Sequence, residues 1–309
     1  MILSPAKTVI LVWLLSACST TKPNYFSNSS GGYCEPALTY TYNDTFRPQT
    51  VLPADTSLTN HFSRHDLLMA NATGILPLLQ ELSQPQGKTT PEARLERLTK
   101  IQQVQSRLAL ASTEIASLAA ELDCEGERAD QLATYLEQKD QRRIRNLTLF
   151  SVIIGAATTV ATAFIQTDNA NKTIGIGGGL LSAGLGGAAA FSSNKTVSFA
   201  HKRNLLADIW SQSDQSVAYS PFIWYVLNEK VFSNSGQTSV RYNIRRRWQE
   251  YVLKKASIEK QQLYFGTGGL YQADDLRTRA NMLNQLQSSV RSINQDLQSL
   301  LTRLTIVFK

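Results

Sequence analysis

The sequence predicts an all-α fold: an elongated helical bundle with two long coiled-coil-like helices and a glycine-rich apolar helical hairpin between them. Two hydrophobic seams predict the long helices. One runs through Val104, Leu108, Ala111, Ile115, Leu118, Leu122, Ala129, Leu132 and Leu136 in alternating steps, with only Glu125 interrupting it. The other runs through Leu283, Leu286, Val290, Ile293, Leu297, Leu300, Leu304 and Val307. Heptad spacing sustained over this length marks helices that pack along a continuous stripe. The hairpin is predicted by two apolar stretches, 147–165 and 174–191, on either side of the polar loop QTDNANKT. No strand–helix alternation suggests a parallel sheet.

In chain order, residues 1–17 read as an export signal. Lys7 precedes the short apolar run Val9–Leu15 and a small-residue segment ending at Cys18, a run too short to span a bilayer permanently. Leu15-Ser16-Ala17-Cys18 resembles the lipobox of bacterial lipoproteins. The resemblance covers about the first eighteen residues. It implies cleavage before Cys18, a diacylglycerol on its sulfur and an acylated new N-terminus. Ser19, standing where an Asp would retain the protein at the inner membrane, implies transfer to the outer membrane. Several acyl chains anchor far more firmly than one.

Cleavage leaves 292 residues, enough for one large or two small domains. The hydrophobic fraction of 42% is that of a folded protein. Net charge is +7, or +6 without Lys7. In an envelope compartment the anions to meet are phospholipid headgroups, lipid A phosphates or peptidoglycan carboxylates, and export excludes nucleic acid as a partner. Of three cysteines the lipobox takes one. Cys34 and Cys124 are expected to pair in an oxidising compartment, the alternative being two buried thiols.

Residues 18–60 form a lipidated tether: a Gly/Ser/Asn-rich linker, then TYTYNDTF as an extended arm or a short strand. The helical region 61–146 opens with a short helix from His61 to about Ser83. The long seam helix follows, capped by Thr90 with Pro91 at its first position and expected to reach Asn146, about 84 Å. The region 193–309 carries helices broken around Pro221. A longer amphipathic helix then places Val240, Ile244, Trp248, Tyr251 and Ile258 on one face, and the second seam helix ends the chain. The two seams either close on each other in an antiparallel bundle or recruit an envelope partner or a second copy.

The hairpin, 147–192, holds seven glycines between Gly175 and Gly187. In water each costs a helix about 1 kcal/mol relative to alanine. Gly175, Gly179, Ala183 and Gly187 recur every fourth residue, as do Ser151, Gly155, Thr159 and Ala163. Small-xxx-small faces let helix backbones approach closely, which drives association in lipid. Each leg matches a hydrocarbon core of about 30 Å. A membrane hairpin is one reading, and a hairpin buried in a soluble bundle is the other. Arg142, Arg143 and Arg145 precede it and Lys195, Lys202 and Arg203 follow, so after export both clusters would lie outside the inner membrane, against the positive-inside bias. This architecture resembles glycine-zipper outer-membrane lipoproteins, surface-exclusion proteins among them, and the α-helical pore-forming toxins. That resemblance extends to no motif in the rest of the mature chain.

Candidate chemical residues are few. His61 and His65, spaced i,i+4 beside Asp66, lack the Glu of an HExxH zinc motif, because Phe62 stands in its place. No nucleophile elbow or P-loop occurs, so no catalytic residue, metal or cofactor is assigned. The densest charge lies in RYNIRRRWQEYVLKK, where Arg241, Arg245, Arg246, Arg247, Lys254 and Lys255 accompany Tyr242, Trp248 and Tyr251. This set suits an anionic membrane face or an acidic partner. The alternative is an ordinary solvated helix face.

Overall fold

A computed structural model describes residues 34–35, 48–49, 56–84, 90–165, 167–190 and 195–308. Cys18, the signal segment and the arm around TYTYNDTF lie outside them. The fold is all-α and elongated, 77% helical, with a single two-stranded sheet among the described residues.

The long helix α4, Pro91–Phe164, follows three short helices: α1, Thr56–Thr59, α2, Arg64–Ala72, and α3, Leu76–Ser83. The expected helix from His61 to Ser83 is thus two. Gly74 adopts a positive φ of 73° between them, a conformation that ends a helix, and Pro77 then sits in the first turn of α3. Ser63 caps α2 reciprocally with Asp66.

Thr90 and Pro91 start α4 as expected, the Thr90 hydroxyl accepting from the Ala93 amide at 3.3 Å. The helix does not stop near Asn146. It runs unbroken for 74 residues, about 111 Å, because neither Gly nor Pro punctuates Arg142–Leu149. The last helix, α10, spans Ala273–Val307. Its Leu283, Leu286, Val290, Ile293, Leu297, Leu300 and Leu304 are buried, as are Val104, Leu108, Ile115, Leu118 and Leu122 of α4. Gln287 donates to the Ala119 carbonyl, while Arg277 reaches Glu137. Rising numbers on one helix meet falling numbers on the other, so the pair is antiparallel. The two seams close on each other.

The remaining elements, α5 apart, which lies along the far end of α4, pack around this pair. They are α5, Asp168–Ala190; β1, Val197–Ala200; α6, Leu205–Trp210; α7, Pro221–Asn228; α8, Val240–Arg247; α9, Ile258–Phe265; and β2, Gly268–Tyr271. Within the region 193–309, expected to be helical, the chain forms β1, antiparallel to β2 with Val197 opposite Tyr271 and Ala200 opposite Gly268. Val197 and Phe199 point inward and Ser198 and Ala200 outward, the period of a half-buried strand. Gly268, at φ 101°, lets the strands meet, since a Cβ there would lie 2.9 Å from Ala200 Cα. The expected long amphipathic helix is also divided. After α8 the chain makes one π-helical turn, Trp248–Val252, before α9 begins.

Candidate functional site: the projecting hairpin

Arg277, in the second turn of α10, bonds Asp130 and Glu137 of α4. Beyond that level α4 continues with α5 as its main companion. The hairpin therefore leaves the body, and the reading that buries it in a bundle core is overturned. Its 18-residue apolar window has a mean hydropathy of 1.9 and none of it is buried. Among the described residues, α4 is the one helix long and apolar enough to cross a membrane. Phe150, Val152, Ile153 and Val160 on α4, and Ile176 and Leu180 on α5, are each more than half exposed. Soluble surfaces scatter such residues singly, whereas a contiguous belt marks an interaction surface.

The legs meet through small residues. The Ser151 hydroxyl donates to the Ser182 carbonyl at 2.9 Å, and the Ser182 hydroxyl donates to the Ser151 carbonyl at 3.0 Å. A Cβ added at Gly155 would lie 3.4 Å from Ser182 Oγ, one at Gly186 3.7 Å from Ser151 Oγ, and one at Gly175 3.8 Å from Thr162 Cγ2. The tightest approach is at Gly178, where an added Cβ would sit 2.7 Å from Thr158 Cβ.

The expected packing set is thus partly replaced. Ser151, Gly155 and Gly175 lie between the legs. Thr159, Ala163 and Ala183 are exposed, and a Cβ at Gly179 or Gly187 would meet nothing within 4 Å. The working rows are Ser151, Gly155, Thr158 and Thr162 against Gly175, Gly178, Ser182 and Gly186. A strict four-residue step turns about 40° per repeat on a helix of 3.6 residues per turn, so such a stripe walks off the interface. Rows that mix steps of three and four, 4-3-4 on α4 and 3-4-4 on α5, stay much nearer the neighbour, and α4 already holds a mixed register of this kind against α10.

The hairpin also accounts for its hydroxyls. Thr158 donates to the Ile154 carbonyl, Thr159 to Gly155 and Thr162 to Thr159, at 2.7–3.0 Å. Threonines bonded into their own helix need no water, so they are compatible with an apolar surrounding.

The other candidate residues fall into separate places. Cys34 and Cys124 are disulfide-bonded, with Cα atoms 5.6 Å apart, which ties the N-terminal arm to the middle of α4. The basic set is dispersed. Arg241 is an internal clamp: it donates to the Ser211 and Ser213 carbonyls and to Asn228 Oδ1, and it lies 4.5 Å above the Trp224 ring. Arg245 covers the Trp210 ring. Arg246, paired with Glu250 at 3.9 Å, remains at the surface with Arg247, Lys254 and Lys255. The π turn explains why Trp248 and Tyr251 part company. Its extra residue keeps Trp248 fully buried and turns Tyr251 out to 81% exposure. Ile258, expected on the apolar face, is likewise exposed.

The two histidines do not share a helix face, because His61 precedes the Ser63 cap. His65 Nε2 bonds Asp296 Oδ1 at 3.0 Å, and that bond raises its pKa. No group of three metal-capable side chains occurs among the described residues.

A buried charged cluster escaped the sequence reading. Glu121 faces Arg203 at 3.2 Å, and Glu125 bonds Arg128 at 2.8 Å. His201 Nε2 lies 2.8 Å from the Tyr271 hydroxyl, and Arg279, 1% exposed, donates to the Tyr264 carbonyl and to Asn204. Burial pushes Glu121 up to about 7 against the pull of Arg203. Burial, with Arg279 and Arg128 nearby, pushes His201 down to about 2. Its one trace in the sequence was Glu125, the carboxylate interrupting the α4 seam. No family model, curated protein or solved structure matches the chain.

Proposed function

We propose that this is a non-catalytic, lipid-anchored protein of the bacterial cell envelope, held at the outer membrane through Cys18. Its hairpin inserts into a membrane, and its helical body serves as a scaffold on which a partner complex assembles. The observation that carries this reading is the exposed apolar hairpin, whose legs of about 26 Å approach the thickness of a hydrocarbon core. The internal bonding of its threonines supports it too. A membrane-active effector that stores the hairpin in its bundle until release has less support, because the hairpin already stands clear of the body.

The test is the Cys18→Ala variant behind a cleavable secretory signal, which removes the lipid. Cells are fractionated and the membranes washed with alkaline carbonate. Retention in the washed membrane is expected. Release as a soluble helical protein would overturn insertion and leave the lipid as the sole membrane contact.

A further inference from the structure

Three arginines stand where the apolar hairpin begins. Arg142, Arg143 and Arg145 precede Leu147, the first residue of the apolar stretch, and all three are exposed. At 100° per residue they fan over about 160° of the helix circumference. None has an ion-pair partner among the described residues. The neighbouring carboxylates are already engaged, Glu137 by Arg277 and Asp140 by Lys195 at 3.8 Å. Lys139 adds a fourth cation just below, over the Tyr135 ring at 4.5 Å.

The far end of the hairpin is different. Residues 166–173, from the end of α4 into the first turns of α5, hold one Asp and one Lys, so their net charge is zero. About 28 Å of helix separates Arg145 from Phe164 at the tip. A cationic base, an apolar shaft and a neutral tip match the profile of a hairpin that enters a bilayer tip-first and stops when its base meets the headgroups.

Resting on the reading of the hairpin as membrane-inserted, we propose that Arg142, Arg143 and Arg145 form a collar that binds the phosphates of anionic phospholipids at the surface the hairpin enters. Guanidinium groups bind phosphate oxygens bidentately and are less strongly hydrated than ammonium. Placed at the boundary between hydrocarbon and headgroup, they meet phosphates without leaving the helix axis. The exposed cations Arg247, Lys254 and Lys255 cannot join this contact in an upright molecule. Trp248, next to Arg247 in the chain, bonds Gln285 of α10, and Gly126 of α4 packs beside Asn284. That level lies about 30 Å along α4 from Leu147.

The experiment uses the full chain with Cys18→Ala and Leu180→Cys. With Cys34 and Cys124 paired, an environment-sensitive dye labels position 180 alone. Lipid titrations compare vesicles of phosphatidylcholine with vesicles containing one-third phosphatidylglycerol. The parent is expected to bury the dye at about 100-fold lower lipid on the anionic vesicles, roughly fivefold for each cation. The variant carrying Arg142→Gln, Arg143→Gln and Arg145→Gln should lose most of that preference, keep its binding to neutral vesicles, and keep its helical circular dichroism. Replacing the same residues with Lys should retain most of the preference. An equal preference in the Gln variant, or no preference in the parent, overturns the collar while leaving insertion standing. Absence of dye burial in both vesicle types overturns the insertion reading itself, and the collar with it. Arg-dependent capture of an acidic protein without any lipid preference would also overturn the collar.

Discussion

The packing of the hairpin rests on one residue more than on any other, and its neighbour provides the control. A Cβ added at Gly178 would lie 2.7 Å from Thr158 Cβ and 2.6 Å from Thr158 Cγ2, whereas one at Gly179 would meet nothing within 4 Å. Rotating Thr158 cannot relieve the first contact, because its Cβ is fixed to the backbone. The legs must separate by about 1 Å to reach ordinary van der Waals distance. Overpacking of this kind costs about 1–3 kcal/mol, and replacing glycine with alanine in a helix returns about 1 kcal/mol. Gly178→Ala is therefore expected to loosen the hairpin by about 0–2 kcal/mol, while Gly179→Ala firms it by about 1 kcal/mol. The two neighbours should thus differ by about 1–3 kcal/mol, some 5- to 150-fold in local opening. Hydrogen exchange of residues 174–190 in detergent micelles reads that ratio directly. Equal exchange in the two variants, or faster exchange in Gly179→Ala, would refute the register and restore the strict four-residue face.

Three further outcomes follow from the same geometry. Replacing Cys34 and Cys124 together with Ala opens a link spanning 90 residues. The chain-entropy model gives a loss of about 4–5 kcal/mol, seen as a thermal midpoint about 10 °C lower; an unchanged midpoint would show that the arm is held by other contacts. Glu121 has a folded pKa raised to about 7 from 4.5, so its contribution is favourable below about 4.5 and is lost as pH rises through 7. Glu121→Gln should accordingly raise stability in urea melts at pH 8 and match the parent at pH 4, and a pH-independent difference would count against this assignment. His201 runs the opposite way. Its depressed pKa gives stability that is full above about 6.5 and fades on acidification, so His201→Phe should flatten the acid limb of the stability profile between pH 6.5 and 4.

Much of the architecture was legible because it is written in periodicity. The seams along α4 and α10 are one-dimensional patterns that water alone sorts into buried and exposed faces. The start of α4 at Thr90-Pro91 is local chemistry, whereas the turn between the legs is tighter than the expected loop 166–173, because α5 begins at Asp168. The division of α2 from α3 and the strand at Val197 were less visible. The first depends on the positive φ of Gly74, and the second on pairing with β2, more than sixty residues away in sequence. Short elements of that kind are decided by their neighbours. The basic segment misled for a related reason. Charge reads as surface in a sequence, yet Arg241 and Arg245 are spent on helix-end carbonyls and indole rings that folding brings beside them.

By itself the sequence determined that the protein is helical, that two long helices carry matched apolar seams, and that a glycine-rich hairpin with two charge-free apolar stretches lies between them. Those properties follow from side-chain spacing and backbone preference, which act over a few residues. Tertiary structure alone decided that the seams close on each other, that the hairpin projects from the body, and that Gly178 rather than Gly179 faces the opposite leg. Such outcomes depend on which helix a given face meets, and a face rotated by 40° per repeat looks the same along the chain while meeting a different neighbour in space.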